Sequence, residues 1–382
     1  METLVRKTVQ KHLDKVIALR HELHKIPEIA GEEFKTADFL RQKLQELPGL
    51  EIRTPFLKTD LTALLGDQTK PNVTLRDDMD ALPLTEKTNL PYRSTHEGMM
   101  HACGHDGHMA MVYGAALCLH ELQHLLPCSV RFLFQPGEEV AAMAKPLMDA
   151  GALETPAPAF VAGLHSWPNV PHGVFSTRVG AVMASAGFFR ITIRGKGGHG
   201  SLPHLANNPL ETASEILLES KKIIPPGCVL TICALKGGSN TNVIPETAVL
   251  QGTLRYLNED EGRKMVSDFE DLCRRVSEKN KVQCDFSCNI PYPPTIVKQK
   301  GFALTKAVTE RFLGKEAFLE MEKSSMSSED LSFYLQKYEG VFCHLGAGTQ
   351  SAPLHSDTFD FDDTLLERGI TFFTGLALSF KQ

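Results

Sequence analysis

The hydrophobic rhythm of the chain changes near Ala184 and changes back near Pro294, and this double change limits the available folds more than any other feature. Before it, helical spacings alternate with apolar strands. LRHELHKIPEI and TADFLRQKLQEL read as helices, NVTLRDD as a strand, HMAMVYGAALCLHEL as a long helix, and SVRFLFQP and AFVAGLH as buried strands. Such alternation predicts an α/β fold with a largely parallel sheet flanked by helices. From Ala184 the order becomes strand GFFRITIRG, helix PLETASEILLESKKI, strands CVLTICALKGG and TAVLQGTLRYL, helix EDEGRKMVSDFEDLCRRVSEKN and strand QCDFSCNI. That is β-α-β-β-α-β, a ferredoxin-like split unit. The Pro-rich PYPPT closes it, and GFALTKAVTERFL, LSFYLQKY and a C-terminal helix resume the first pattern. At 382 residues the chain exceeds one ordinary core. The expected organisation is a larger domain of residues 1–183 and 295–382, with a smaller α+β domain, 184–294, inserted into it.

The chemistry concentrates where strands end. GMMHACGHDGHMAM, residues 98 to 111, places Cys103, His105 and His108 around two glycines. Thiolate and imidazole suit zinc or a similar divalent ion, and Gly104 lets the backbone turn tightly between Cys103 and His105. The competing reading is a buried apolar Cys and a His that caps a helix. SVRFLFQP runs into Gly137, Glu138 and Glu139, AFVAGLHSWP presents His165, and GTQSAPLHSDTFD presents His355 beside Asp357. A lone His is usually a hydrogen-bonded structural residue, and paired glutamates are usually a solvated face. Together these segments supply one thiolate, several imidazoles and two carboxylates at strand ends, where ligands gather in α/β sheets.

A formal charge of -6 leaves no basic footprint for nucleic acid, and no segment is apolar for long enough to cross a membrane. The N-terminus METLVRKTVQKHLDK is polar with helical periodicity and lacks the apolar core of a signal peptide. Nine cysteines without framework spacing predict reduced, packed thiols at Cys118, Cys128, Cys228, Cys233, Cys273, Cys284, Cys288 and Cys343. Both observations point to a cytoplasmic protein.

The strings RDDMDALPL, MHACGHDGH, FQPGEE, GLHSWP, GKGGHGSLPH, NVIPETAVLQGTLR, SSEDLSFYL and LHSDTFDF, in this order, resemble the M20 metallopeptidase family. They are most similar to its amidohydrolase branch of aminoacylase-like enzymes, hippurate hydrolases and auxin-conjugate hydrolases, and the likeness runs from about Arg20 to about Phe361. The resemblance implies a zinc-exopeptidase-like catalytic domain with the insert as lid and dimerisation domain. It implies Cys103, His105, Glu139, His165 and His355 as ligands of two divalent ions (zinc, manganese or cobalt), Glu138 as general base, and Asp80 as an acid that orients a ligand. Asp78 could as easily hold the loop together. The implied reaction is hydrolysis of an N-acyl amino acid, or of a small dipeptide, in a homodimer or higher homo-oligomer.

In the insert, GKGGHG satisfies G-x-G-x-x-G after a strand, and Glu219 lies near the acidic position of a dinucleotide site. Pro203 and Pro209 keep a helix from starting directly after the glycines, so no helix N-terminus waits for a pyrophosphate. The resemblance makes this loop the carrier of His199, which polarises the scissile carbonyl, commonly from the partner subunit. It also promotes Asn242, otherwise a turn former, and Arg255, otherwise a solvated strand residue, to contacts for a substrate carbonyl or carboxylate. Three departures from the family pattern stand out: Asp77 in place of Ala, VAAMA after the paired glutamates in place of glycines, and Asn208 in place of Asp. The side chains of Val140 to Met143 predict a smaller, more apolar pocket. Other classes consistent with the residues are a dipeptidase or aminopeptidase of the same fold, a hydrolase with Cys103 as nucleophile and His105 as base, and a binding protein that has lost catalysis.

Overall fold

The computed structural model describes residues 1–381. They form two compact units: Met1–Val182 with Ile296–Lys323 and the chain from Asp330 onward, and Met183–Thr295 with Ser324–Glu329. The short segment Ser324–Glu329 joins the smaller unit because the Ala184 N–H donates to the carbonyls of Ser325 and Ser327, and Thr295 Oγ1 donates to the Glu329 carbonyl.

The larger unit is built on an eight-stranded mixed sheet in the spatial order Glu51–Ile52, Leu61–Leu65, Ser129–Gln135, Asn72–Asp78, Pro158–Pro168, Gly340–Gly348, Phe175–Thr177, Phe318–Glu320. Its four central strands are mutually parallel. Asn72–Asp78 and Ser129–Gln135 are buried at every position, as strands covered on both faces must be. LTALL and GVFCHLGAG were not among the expected strands, and both are buried members of the sheet. Short apolar runs carry no period that separates strand from buried helix. The helices Glu2–His24, His105–Glu121 and Thr364–Ser379 pack together, the first burying Val5, Val9, Val16, Leu19 and Leu23 along one stripe. That helix stops at His24, short of the expected IPEI, because the residue before Pro27 disfavours the helical region. No helix among the described residues is long and apolar enough to cross a membrane.

The smaller unit has a four-stranded antiparallel sheet, ordered Val229–Gly237, Thr247–Arg255, Ala186–Arg194, Gln283–Tyr292. Helices Pro209–Ser220 and Glu259–Lys279 pack on it. Along Ala186–Arg194 burial alternates from Gly187 to Arg194, with Phe189, Ile191 and Ile193 inside. Against them the second helix buries Met265, Phe269, Leu272 and Val276, and its Asn258 side chain caps the N–H groups of Asp260 and Glu261. Asn208 caps the first helix by accepting from the Leu210 N–H, with Pro209 following it. Asn and Asp serve equally as caps, so this departure from the family pattern is structurally neutral.

Candidate metal centre

The strand Asn72–Asp78 leads to Asp80, and the loop that follows enters the helix His105–Glu121 through Gly104, whose φ is +89°. That backbone suits glycine, and a Cβ there would lie 2.9 Å from Ser166 Oγ. The turn leaves Cys103 and His105 on either side. The strand Ser129–Gln135 delivers Glu138 and Glu139 on a single helical turn, Glu138–Ala141, and Pro158–Pro168 delivers His165. His355 arrives on a loop in the left-handed region, φ +64°, with its N–H donating to the Ala102 carbonyl at 2.8 Å.

These side chains converge. Ligand atoms of Cys103, His105 and His165 lie within 4.8 Å of one another, as do those of Cys103, Glu139 and His355, and those of His105, Glu138 and Glu139. Cys103 Sγ is 3.3 Å from His165 Nε2, and Glu139 Oε1 is 3.3 Å from His355 Nε2 and 3.8 Å from His105 Nε2. Hydrogen bonds settle which nitrogens are free. His105 Nδ1 meets the Asp80 carbonyl at 2.8 Å and His165 Nδ1 the Ser166 carbonyl at 2.7 Å, so each Nδ1 carries the proton and each Nε2 offers a lone pair. His105 Nε2 and Glu139 Oε1 are buried with no hydrogen-bond partner among the described residues. Buried polar atoms are rarely left so, and a thiol, imidazole and carboxylate set aimed at one point is satisfied by divalent cations.

The electrostatics agree. Burial pushes the Cys103 thiol far up, and Glu139 and Glu138 add to it. Burial opposes a charge on His105, yet the carboxylates of Asp78, Asp80 and Glu139 push its imidazole up to about 10. A group held protonated in this way marks a site that attracts positive charge, which a divalent ion meets better than a proton. Burial holds His165 far below the usual imidazole range, leaving it neutral and ready to ligate. A Cys103–His105 nucleophile pair is not assembled, because Nδ1 of His105 serves Asp80 and its Nε2 has no hydrogen-bond partner.

His108 lies beside the cluster, with a ligand atom within 4.8 Å of those of His105 and Asp78, but its nitrogens are already taken. Its Nδ1 is 2.8 Å from Asp78 Oδ1 and its Nε2 accepts from the Ser166 N–H at 3.0 Å, so neither nitrogen has a lone pair to give. Asp78 also binds Arg76 at 3.0 Å, which makes it a structural anchor. Asp80 holds the glutamate pair: its two carboxylate oxygens accept from the N–H groups of Glu138 and Glu139, each at 2.9 Å. Its backbone carbonyl, not its carboxylate, makes the short contact to His105. Both oxygens of Asp77 are buried without a hydrogen-bond partner among the described residues, and nothing in the structure explains the acid there. After the glutamates, Val140 points largely into solvent while Met143 packs over Gly137.

The smaller unit brings His199 and Asn242 together. Gly198–His199 pairs antiparallel with Val243–Ile244, and the Gly200 N–H donates to the Asn242 carbonyl at 2.8 Å. The glycine loop therefore forms a strand pair, not the entry to a phosphate-binding helix. The Ser201 backbone N–H donates to His199 Nδ1 at 3.2 Å, and Ser201 Oγ lies 2.8 Å from the same nitrogen. A backbone N–H can only donate, so Nδ1 is the acceptor and Nε2 carries the proton. Ser201 escaped the sequence reading, although its place two residues after His199 was a usable signal. Arg255, at the end of another strand, is half-buried near Phe188, and its Nη1 has no partner among the described residues. All nine cysteines are free, but Cys233 is exposed, against the expectation of packing, because it falls at a bulge in the edge strand.

A model of Peptidase family M20/M25/M40 matches residues 74–379. The chain is 34% identical to IAA-amino acid hydrolase ILR1-like 2 of Arabidopsis thaliana, over 96% of this chain and 85% of the relative. It is 33% identical to N-acetyl-L-cysteine deacetylase of Bacillus subtilis, over 96% and 87%. Among solved structures, a dinuclear metal-binding M20 peptidase from Bacillus subtilis superposes with a TM-score of 0.87 at 29% identity, covering 97% of this chain and 98% of that one. A putative aminohydrolase from methicillin-resistant Staphylococcus aureus gives 0.92 at 26% identity, with 99% of each chain covered.

Proposed function

The chain belongs to peptidase family M20/M25/M40 and is a hydrolase of amide bonds, and from that premise we propose how its own residues cleave an N-acyl amino acid. The observation that carries the reading is that two of the ligand sets share Cys103, one with His105 and His165 and the other with Glu139 and His355, while Glu138 stands beside them in a third set with His105 and Glu139. Two divalent ions on these sets would act as Lewis acids and lower the pKa of water at the site. Glu138, fixed next to Glu139 by the Asp80 cap, takes the proton of the attacking water and passes it to the departing amine. His199, with its proton on Nε2, donates to the oxygen that becomes negative at the acyl carbon. Arg255, with an unused N–H, and Asn242, beside His199, receive the free carboxylate of the amino-acid half. The insert serves as lid and dimer contact, with His199 acting on the partner subunit's site, in a cytoplasmic homodimer.

The relatives named for hydrolysis of acylated amino acids favour that substrate class over dipeptides. The test is turnover of N-acetyl, N-benzoyl and indole-acyl amino acids and of free dipeptides by apoprotein given zinc, manganese or cobalt. Metal-dependent cleavage of the acyl series is expected. Faster cleavage of free dipeptides would replace the proposed substrate class.

A further inference from the structure

The helix Glu2–His24 carries a buried ion network that the chemistry above does not use. Arg20 is wholly buried, and its guanidinium meets three carboxylates: Nε to Asp106 at 2.8 Å, Nη2 to Asp360 at 2.7 Å and Nη1 to Asp363 at 3.2 Å. Around this fork, His24 Nδ1 lies 2.8 Å from the same Asp106 oxygen, His21 Nε2 lies 2.7 Å from Asp363, and the Tyr92 hydroxyl donates to Asp360 at 3.1 Å. Asp106 directly follows His105. Asp360 and Asp363 lie just beyond His355 in the chain. Phe361, between them, is pressed on the start of the His105 helix, where a Cβ added to Gly107 would come 2.5 Å from its ring.

We infer that Arg20 is a positioning residue for the metal centre, its guanidinium setting the spacing between the loop and helix start that carry Cys103 and His105 and the loop that carries His355. The inference rests on the two-ion reading above. The set Cys103, Glu139 and His355 draws ligands from both loops, whereas Cys103, His105 and His165 do not involve the second. Loss of the clamp therefore falls on one ion. Lysine in its place keeps the charge but, as a compact ammonium, does not span three carboxylates in the fixed directions of a fork.

The test compares wild type with Arg20→Lys for zinc content after dialysis and for stepwise affinity against a chromophoric chelator, with melting of both apoproteins as the check on folding. Wild type should hold two ions. The variant should hold the first with unchanged affinity and the second about ten- to a hundredfold more weakly, the range seen when support of a ligand is lost. If Arg20→Lys does not fold, Asp360→Asn removes one arm of the clamp at a side chain that is 35% exposed, and the same selective weakening of the second ion is expected. A wild type with fewer than two ions overturns the two-ion reading itself. A wild type with two ions, and variants that keep both affinities or lose both equally, overturns the role of Arg20 alone.

Discussion

The two units present their polar groups in opposite ways. In the larger one, Cys103, His105 and His165 are buried, and both imidazoles are fixed by backbone carbonyls that dictate the protonated nitrogen. In the smaller one, His199 lies exposed on a two-residue strand pair with Asn242 exposed in the turn just before the partner strand, and His199 is held by its near neighbour Ser201. A ligand cage must be rigid before the ion arrives, because any reorganisation subtracts from affinity. A donor to a transient charge needs the right proton on the right nitrogen and access to substrate. The contrast predicts that changes in the larger unit alter metal content or proton transfer, while changes in the smaller unit leave the metal in place.

Removal of metal is the largest test of this division. Dialysis against a chelator should abolish turnover, with recovery on adding zinc, manganese or cobalt. It should also make stability depend on pH. Without a cation His105 keeps its proton up to about 10, above roughly 6.5 in the unfolded chain. Its contribution is complete below pH of about 6.5 and is lost as pH rises towards 10. The melting temperature of the chelated protein should therefore fall over that interval more than that of the loaded protein, and parallel curves would refute the assignment of His105.

Glu138→Gln comes next in size. Turnover should drop by about a hundredfold or more, as when a general base is removed, with both ions retained. Loss of an ion together with activity would move Glu138 into the ligand set and blur the contrast.

His199→Ala should cost about a hundred- to a thousandfold in kcat, the scale of one lost oxyanion donor, with unchanged metal content and melting temperature. If His199 serves the partner subunit's site, mixing it with Glu138→Gln protomers should restore up to about a quarter of wild-type activity, since half of re-paired dimers are mixed and each has one intact site. No recovery despite demonstrated subunit exchange would confine His199 to its own subunit.

The smallest effect is expected at Arg255. Arg255→Lys should raise KM by about tenfold for substrates with a free carboxylate, the value of a charge-assisted hydrogen bond, and leave the corresponding amides unaffected. Equal loss on both series would return Arg255 to a structural role.

Strand and helix order was legible where the pattern was long. NVTLRDD and SVRFLFQ are strands at the expected positions, and the insert shows the β-α-β-β-α-β order that its periodicity suggests. The helix Glu259–Lys279 was equally plain, because seven apolar or small residues recur on one face with a capping Asn before it. GVFCHLGAG was missed although it lies beside the His165 strand, since a strand buried over its first seven residues has no polar face to set its period.

The residue types of the metal cluster also belonged to the sequence: a thiol, imidazoles and paired acids at strand ends are uncommon enough to be noticed before any fold is known. What the linear chain does not contain is the allocation of lone pairs. His105 and His108 stand three apart in one motif and look alike, yet Asp78 and the Ser166 N–H occupy both nitrogens of His108, while the Asp80 carbonyl takes one nitrogen of His105 and leaves the other free. Those partners come from other strands, so the distinction exists only after the parallel sheet has brought their ends together. The same holds for Arg20, an ordinary charged residue on a helix until Asp106 and the segment from Asp360 to Asp363 close around it. Local pattern decides element and residue type, because it depends on neighbours in sequence; hydrogen-bond saturation depends on neighbours in space, and only the tertiary structure supplies those.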